Sequence, residues 1–200
     1  MRRLSLLLII FSIASVGWCQ SKKTAEKLQK AETAFSKGDV NTAEKLLREV
    51  VKDDPNSLEG HDMLGILLQT TRRCSQAIPE FTTALELDDK QKQLSLEQRR
   101  QVVDGRAVCY ATTGNLEKAK TLYLDALKGD PNYSIYNYNL ACVYAELHNL
   151  DAALPYLQKA WDMQITMPKG MRFPDPRKDS SFKDYYNDPK FQEAVRNMVQ

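Results

Sequence analysis

The sequence predicts an all-α protein in which one pair of helices is repeated four times. Its composition, 42% hydrophobic and 27% charged residues, is that of an ordinary folded domain rather than a disordered chain. An alanine that opens a predicted second helix recurs after a turn, at separations of 34, 42 and 34 residues. A period of this length is typical of stacked helical units. The four alanines are Ala43, Ala77, Ala119 and Ala153.

The first residues of the chain have the pattern of an export signal. Two arginines precede an apolar run over residues 4–16, which ends in small residues. This pattern predicts a secretory signal peptide over residues 1–19, and cleavage after Gly17 or after Cys19 fits it equally. The run is shorter than the ~20 residues of a spanning helix, so we expect no membrane span after cleavage. The expected protein is therefore exported, either periplasmic or secreted.

Cys19 leaves a second interpretation of this segment open. A cysteine just after an export signal resembles the position at which bacterial lipoproteins carry their acyl anchor, so an outer-membrane lipoprotein anchored through Cys19 is the alternative. Trp18 fits this interpretation poorly, because the lipoprotein processing site has a small residue at that position. The sequence therefore favours export without acylation.

The charge balance argues against nucleic acid as a partner. Loss of residues 1–19 removes two arginines and no acidic residue, so the 28 basic residues become 26 and equal the 26 acidic ones. Nucleic-acid binding depends on many Lys and Arg contacts with phosphate. A near-neutral mature chain has no general surplus of these residues.

The same residue types recur at the same places in each unit. A small residue in each first helix allows the two helices of a unit to approach closely; these residues are Ala31, Gly65, Ala107 and Ala141. An apolar or aromatic residue follows each second-helix alanine by four positions; these residues are Leu47, Phe81, Tyr123 and Leu157. Pro55 and Pro131 each mark a junction at which one unit ends and the next begins, because proline cannot continue a helix interior but suits its first turn. The units are expected at residues 24–57, 58–89, 100–133 and 134–165.

These residues resemble the tetratricopeptide-repeat family, whose 34-residue unit reads W-x2-L-G-x2-Y, then A-x3-F, then P. Ala77 and Phe81 match the second-helix motif in full, and Leu64 with Gly65 matches the first-helix pair. The resemblance covers residues 24–165. It implies a right-handed α-solenoid with a concave groove lined by the first helices.

The chain departs from the family pattern in three ways. No unit begins with Trp. Asp89 and Ile165 stand where the closing proline is expected. Arg72 and His148 stand at a turn position that glycine occupies in the other two units.

The longer interval between the second and third alanines indicates an insertion of eight residues near 90–99, since 42 exceeds 34 by eight. Ser95 and Gln98 have capping-box spacing, which predicts a helix start at this point. We expect a polar loop from Asp89 to Leu94, followed by a first helix that begins about one turn early. A longer second helix in the second unit is the alternative.

The last part of the chain, residues 166–200, is expected to form a proline-rich connector and a capping helix. The prolines and glycine of the connector disfavour regular structure. Asp188 and Pro189 have the pattern of a helix start. A stacked array leaves one apolar end exposed, so we expect this helix to cover it. The apolar residues of the predicted cap are Phe182, Tyr185, Tyr186, Phe191, Ala194, Val195 and Met198.

Residues with the chemistry of an enzyme site are few. The two histidines, His61 and His148, form no metal-binding motif, and no nucleophile elbow or phosphate-binding loop is present. We therefore predict no enzyme, no cofactor and no metal site. Cys109 and Cys142 occupy similar places in neighbouring units, which leaves open whether they form a disulfide or are buried thiols.

The predicted function is binding of another protein in the groove. The family resemblance implies that the inward-facing residues are Gln29, Glu32, Glu59, Asp62, Met63, Ile66, Asp104, Val108, Tyr138, Asn139 and Glu146. Because this set is acidic with apolar patches, the expected partner is a protein or peptide that offers basic or apolar groups. The alternative is an enzyme or small-molecule carrier that uses Asp62, Asp104 and Tyr138. The sequence does not predict an oligomeric state.

Overall fold

The structure, a computed structural model, describes residues 22–196 and Met198. No strand occurs in these residues, which confirms the all-α prediction. The predicted signal peptide and the alternative anchor at Cys19 lie outside the described residues. The α-helices are α1 (22–36), α2 (Val40–Asp53), α3 (Leu58–Thr70), α4 (Cys74–Gln91), α5 (Leu96–Thr112), α6 (Leu116–Gly129), α7 (Ser134–Glu146), α8 (Leu150–Asp162) and α9 (Pro189–Val195).

The described helices belong to two compact units, an N-terminal unit that ends at Gln93 and a C-terminal unit that begins at Leu94. In the N-terminal unit α3 packs against α2 and α4. In the C-terminal unit α6 packs against α5 and α7, and α7 packs against α8. Each helix pair therefore contributes to a core that it shares with its neighbour. None of the described helices has the length and apolar content needed to cross a membrane.

Small residues bring the helices of a unit together, as the repeat pattern predicts. Ala43, Ala77 and Ala31 are fully buried. At Gly65 the two helices of the second repeat are so close that a β-carbon would lie 2.7 Å from the ring of Phe81. Phe81 is itself completely buried, so glycine is the residue that this contact accommodates.

The turn inside each repeat uses a left-handed backbone. Gly38 and Gly114 both have φ of +79°. Arg72 has φ of +61° and His148 has φ of +57° at the equivalent positions of the other two repeats. The two departures from the family pattern therefore keep the turn but hold a side chain in a conformation that favours glycine.

The insertion is divided between two longer helices. Helix α4 continues to Gln91 and ends at Lys92, which has φ of +53°. The capping box is confirmed: Gln98 N donates to Ser95 Oγ over 3.3 Å, and Ser95 N donates to Gln98 Oε1 over 2.9 Å. The polar loop begins at Lys92 rather than at the expected Asp89, as in the alternative of a longer second helix, because Leu87 and Asp88 are buried and extend the packed face of α4 almost to its end. Only residues 92–95 connect the two helices.

The C-terminal segment ends in a short helix, α9. Asp188 caps it by accepting hydrogen bonds from the backbone N–H groups of Lys190 (2.9 Å) and Phe191 (3.1 Å). Phe182, Phe191 and Val195 are fully buried in one cluster with residues of α7 and α8. The connector contains more local structure than its prolines predict, in three 3₁₀ segments: Gln164–Thr166, Pro176–Lys178 and Ser180–Tyr185.

The first turn of α7 is completed by a residue that follows α8. Ser134 N donates a hydrogen bond of 2.9 Å to Oγ1 of Thr166, and Ser134 Oγ donates one of 2.8 Å to the carbonyl of Ala160. Thr166 Oγ1 in turn donates to the carbonyl of Met163 over 2.8 Å. A helix start has N–H groups without partners in its own helix. Here a side chain 32 residues along the chain supplies one of those partners.

Candidate partner-binding groove

The N-terminal unit presents four of the predicted groove residues on one face of α3. Glu59 is exposed, and Asp62, Met63 and Ile66 are partly buried. Asp62 Oδ1 is buried and accepts no hydrogen bond from any described residue. Burial raises the pKa of Asp62 to about 6, and the nearby charge of Glu59 adds to this shift. The face therefore combines apolar side chains with a carboxylate that lacks a cation.

Two further predicted residues, Gln29 and Glu32, lie on α1 and are exposed. A cavity of about 680 Å³ lies in the same unit and includes Glu59 in its wall. Its lining is mostly polar and includes Thr24, Asn56 and Gln91.

In the C-terminal unit Asp104 joins three helices. Tyr123 donates its hydroxyl to Asp104 Oδ1 over 2.8 Å, and Asn139 Nδ2 donates to the same oxygen over 2.7 Å. Burial raises the pKa of the Asp104 carboxyl, while these two hydrogen bonds favour its charged form and partly offset the rise. Asp104 and Asn139, both predicted as groove residues, thus connect α5, α6 and α7.

The groove side of α7 is covered by the chain itself. We call residues 173–186 the tail segment. The Tyr138 hydroxyl donates a 2.8 Å hydrogen bond to Asp179 Oδ2, and the Tyr138 ring packs edge-on against Phe173 and Phe182. Ser181 Oγ donates to Glu146 Oε1 over 2.7 Å. Tyr138, predicted to face a partner, is therefore buried beneath the tail segment.

A cavity of about 220 Å³, which we call the α5–α7 cavity, remains between α5, α7 and the tail segment. Three predicted groove residues, Val108, Asn139 and Glu146, line it. Its remaining lining residues are Ala111, Thr112, Tyr123, Cys142, Val143, Asp179 and Ser181. The structure thus brings predicted residues of two helices together with tail residues that the sequence did not single out.

Cys142 contributes a thiol to the wall of this cavity. Its Sγ lies 3.8 Å from Asp179 Oδ2 and donates a weak hydrogen bond to it. Burial, and secondly the charge of Asp179, raise the pKa of Cys142 well above its usual value, so the thiol is neutral. Cys142 and Cys109 are not joined by a disulfide in this structure.

Sequence reasoning missed Cys142, Asp179 and Ser181 as cavity residues. Cys142 could have been found, because it lies four positions from both Tyr138 and Glu146 and so shares their helix face. Nothing in the sequence pattern placed Asp179 and Ser181 against α7. Their contact depends on the path of the connector.

The described part of the chain contains no group of three or more His, Cys, Asp or Glu side chains that could hold a metal ion. His61 has structural contacts: Nδ1 lies 2.7 Å from Glu80 Oε2 and Nε2 lies 3.1 Å from the carbonyl of Pro55. His148 is an exposed turn residue.

Comparison with known families tests the repeat interpretation. Three family models, each described as Tetratricopeptide repeat, match residues 17–57, 63–134 and 122–154. The chain is a tetratricopeptide-repeat protein. Such repeats form scaffolds for protein–protein interaction and are typically not enzymes. No match was found among curated protein sequences.

Solved structures show the same tetratricopeptide fold. One titled "Crystal structure of MamA" is 19% identical to this chain, with a TM-score of 0.63 over 76% of this chain and 84% of the other. Another, "MamA 41-end from Desulfovibrio magneticus RS-1", is 16% identical, with a TM-score of 0.63 over 73% and 78%. At this level of identity the likeness concerns the fold.

Proposed function

We propose that this tetratricopeptide-repeat protein acts outside the cytoplasm as a scaffold or assembly adaptor that holds a partner protein through basic and apolar groups. The observation that carries the proposal is the α5–α7 cavity, which has apolar walls at Val108 and Val143 and carboxylates at Glu146 and Asp179. A cavity of this kind suits a partner side chain that has both apolar and cationic parts.

The electrostatics of the inward faces support a basic partner. Glu59 and Asp62 in the N-terminal unit, and Glu146 and Asp179 in the C-terminal unit, form no salt bridge with any described residue. Carboxylates elsewhere on the protein do form such pairs, for example Glu44 with Arg73 at 2.7 Å. Uncompensated charge on the inward faces attracts a partner of opposite charge.

Action outside the cytoplasm is supported by the sequence of residues 1–19. Two arginines followed by an apolar run and small residues are the elements of an export signal. Fractionation of the source cells, followed by the intact mass of the purified protein, tests this part of the proposal. A measured mass that includes an acyl group on Cys19 would support the lipoprotein alternative and contradict export without acylation.

Site-specific photocrosslinking tests the partner-binding surface. A benzoylphenylalanine is placed at Ile66 or Thr112 on the inward faces, and at exposed Lys45 or Thr121 on second helices as matched controls. We expect the inward positions to crosslink one recurrent protein and the control positions not to do so. Equal crosslinking from both sets, or crosslinking from the controls alone, would refute binding at the inward faces.

A further inference from the structure

The α5–α7 cavity has one charged end and one apolar wall. Val108 and Ala111 on α5 and Val143 on α7 supply the apolar contacts. Glu146 and Asp179 supply two carboxylates, and the lining contains no Lys, Arg or His. The cavity therefore carries two negative charges that no described residue balances.

Ser181 holds the two carboxylates next to each other. Its hydroxyl donates to Glu146 Oε1 over 2.7 Å, and its backbone N–H donates to Asp179 Oδ1 over 3.0 Å. Both carboxylates therefore contact a single residue. A cation that entered the cavity could interact with the two groups at once, and an arginine guanidinium, with its planar fork of donors, is suited to that geometry.

The size of the cavity limits what can enter. At about 220 Å³, it has room for roughly seven water molecules at about 30 Å³ each. An α-helix with its side chains is about 10–12 Å across and does not fit. One long side chain does fit, with its methylene groups against Val108 and Val143 and its charge at Glu146 and Asp179.

From these observations we infer that the α5–α7 cavity is a socket for one basic side chain, arginine or lysine, of the partner protein. The inference rests on the proposed function for its partner. To that function the socket adds the place at which one partner side chain binds and the chemistry of that side chain. The methylene stem of such a side chain buries apolar surface while the charged head meets the carboxylates.

The tail segment supplies one of the two carboxylates of this socket. Asp179 and Ser181 lie in it, and the Tyr138 hydroxyl holds Asp179 in place. The socket is therefore complete only when the tail segment is docked on α7. Partner recognition in the C-terminal unit consequently requires the contact that buries Tyr138.

The test uses small probes and the full chain as its host processes it. N-acetyl-arginine amide is titrated while the methyl groups of Val108 and Val143 are observed by NMR, and N-acetyl-citrulline amide serves as the uncharged probe of nearly the same shape. N-acetyl-lysine amide and its Nζ-acetylated form make a second matched pair. We expect saturable shifts of both valines with a charged probe and at least tenfold weaker binding of its neutral counterpart.

Variants of the chain provide the second arm. Glu146→Gln with Asp179→Asn removes both charges while each residue keeps an oxygen that can accept a hydrogen bond; we expect at least tenfold weaker binding of the charged probe. Glu193→Gln, at an exposed position on α9, is the matched control and should bind as the parent does. If the double variant shows no cooperative thermal unfolding, Glu146→Gln alone is used, and we expect it to bind the charged probe at least threefold more weakly.

The outcomes separate this inference from the proposed function. Equal binding of arginine and citrulline probes, or undiminished binding by the charge-neutral variant, would overturn the socket. Photocrosslinking of the partner that survives in the same variant would overturn the socket and leave the scaffold function intact. If the probes bind in a charge-specific way but no partner is crosslinked, the socket is supported and the proposed scaffold function is contradicted.

Discussion

Tyr123 donates its hydroxyl to Oδ1 of Asp104 over 2.8 Å, and this oxygen also accepts a hydrogen bond from Asn139. One carboxylate oxygen therefore connects both helices of the third repeat to the first helix of the fourth. Tyr123 is almost completely buried, and burial raises its pKa well above the usual value. Its hydroxyl remains a donor at physiological pH.

Replacement of Asp104 is expected to cost stability rather than binding alone. Asp104→Ala leaves two donors without their acceptor, which should lower the free energy of unfolding by about 2 to 4 kcal/mol. Urea denaturation measures the change. The control is Asp125→Ala, whose exposed ion pair with Lys128 should contribute less than about 1 kcal/mol. Equal losses in the two variants would contradict the structural role of Asp104.

Asp62 should make the protein less stable as the pH rises. Its folded pKa of about 6 exceeds the ordinary value of 3.8, so between about pH 4 and pH 6 the folded chain retains a proton that the unfolded chain has lost. The contribution of Asp62 to the free energy of unfolding is complete below pH 4 and has decreased by about 3 kcal/mol at pH 7. Asp62→Asn should therefore raise the free energy of unfolding at pH 7 and flatten its dependence on pH.

Urea denaturation at pH 4, 5, 6 and 7 measures the Asp62 effect. Glu86→Gln, at an exposed position on α4, is the matched control and should leave the slope between pH 4 and pH 6 nearly unchanged. A slope that is the same in the parent and in Asp62→Asn would show that the carboxyl is not desolvated.

Gly65→Ala should loosen the second repeat. The added β-carbon would lie 2.7 Å from the buried ring of Phe81, so the ring or the helix must move. We expect the free energy of unfolding to fall by about 1 to 3 kcal/mol. Gly129→Ala, which meets nothing within 4 Å at the end of α6, should be neutral or slightly stabilising. Calorimetry that ranks the two variants in the opposite order would disprove the close approach at Gly65.

Tyr138→Phe should weaken docking of the tail segment. The change removes the hydrogen bond to Asp179 but keeps the ring contacts with Phe173 and Phe182. A loss of about 1 kcal/mol corresponds to roughly fivefold faster amide exchange in residues 176–186 if they open locally. Hydrogen-exchange mass spectrometry measures this rate. Tyr144→Phe, in which a ring stacked on Tyr156 is retained, should leave exchange of the tail segment unchanged.

The repeated parts of the fold could be predicted from the sequence because each depends on contacts within one unit. Gly65 against Phe81 and the capping box at Ser95 are of this kind. The length of α4 could not be predicted in the same way. It depends on burial of Leu87 and Asp88, whereas a run of polar residues alone suggests a loop.

The candidate site was predictable only in part. The family resemblance implied that Val108, Asn139 and Glu146 face inward, and all three line the α5–α7 cavity. Local spacing did not show that Tyr138 is covered by residues about 41 positions later. That contact follows from the route of a connector whose prolines and glycine have no repeat period, so the family pattern contains no information about it.

Thr166 determines how much of the chain must be kept when the fourth repeat is transferred to another protein. Its Oγ1 accepts the Ser134 N–H at the start of α7, although Thr166 follows α8. A shortened gene that stops after Asp162, or a graft of helices α7 and α8 alone onto another array, would leave this amide to solvent or to a new neighbour. Engineers who transplant the repeat should cut the chain beyond Thr166.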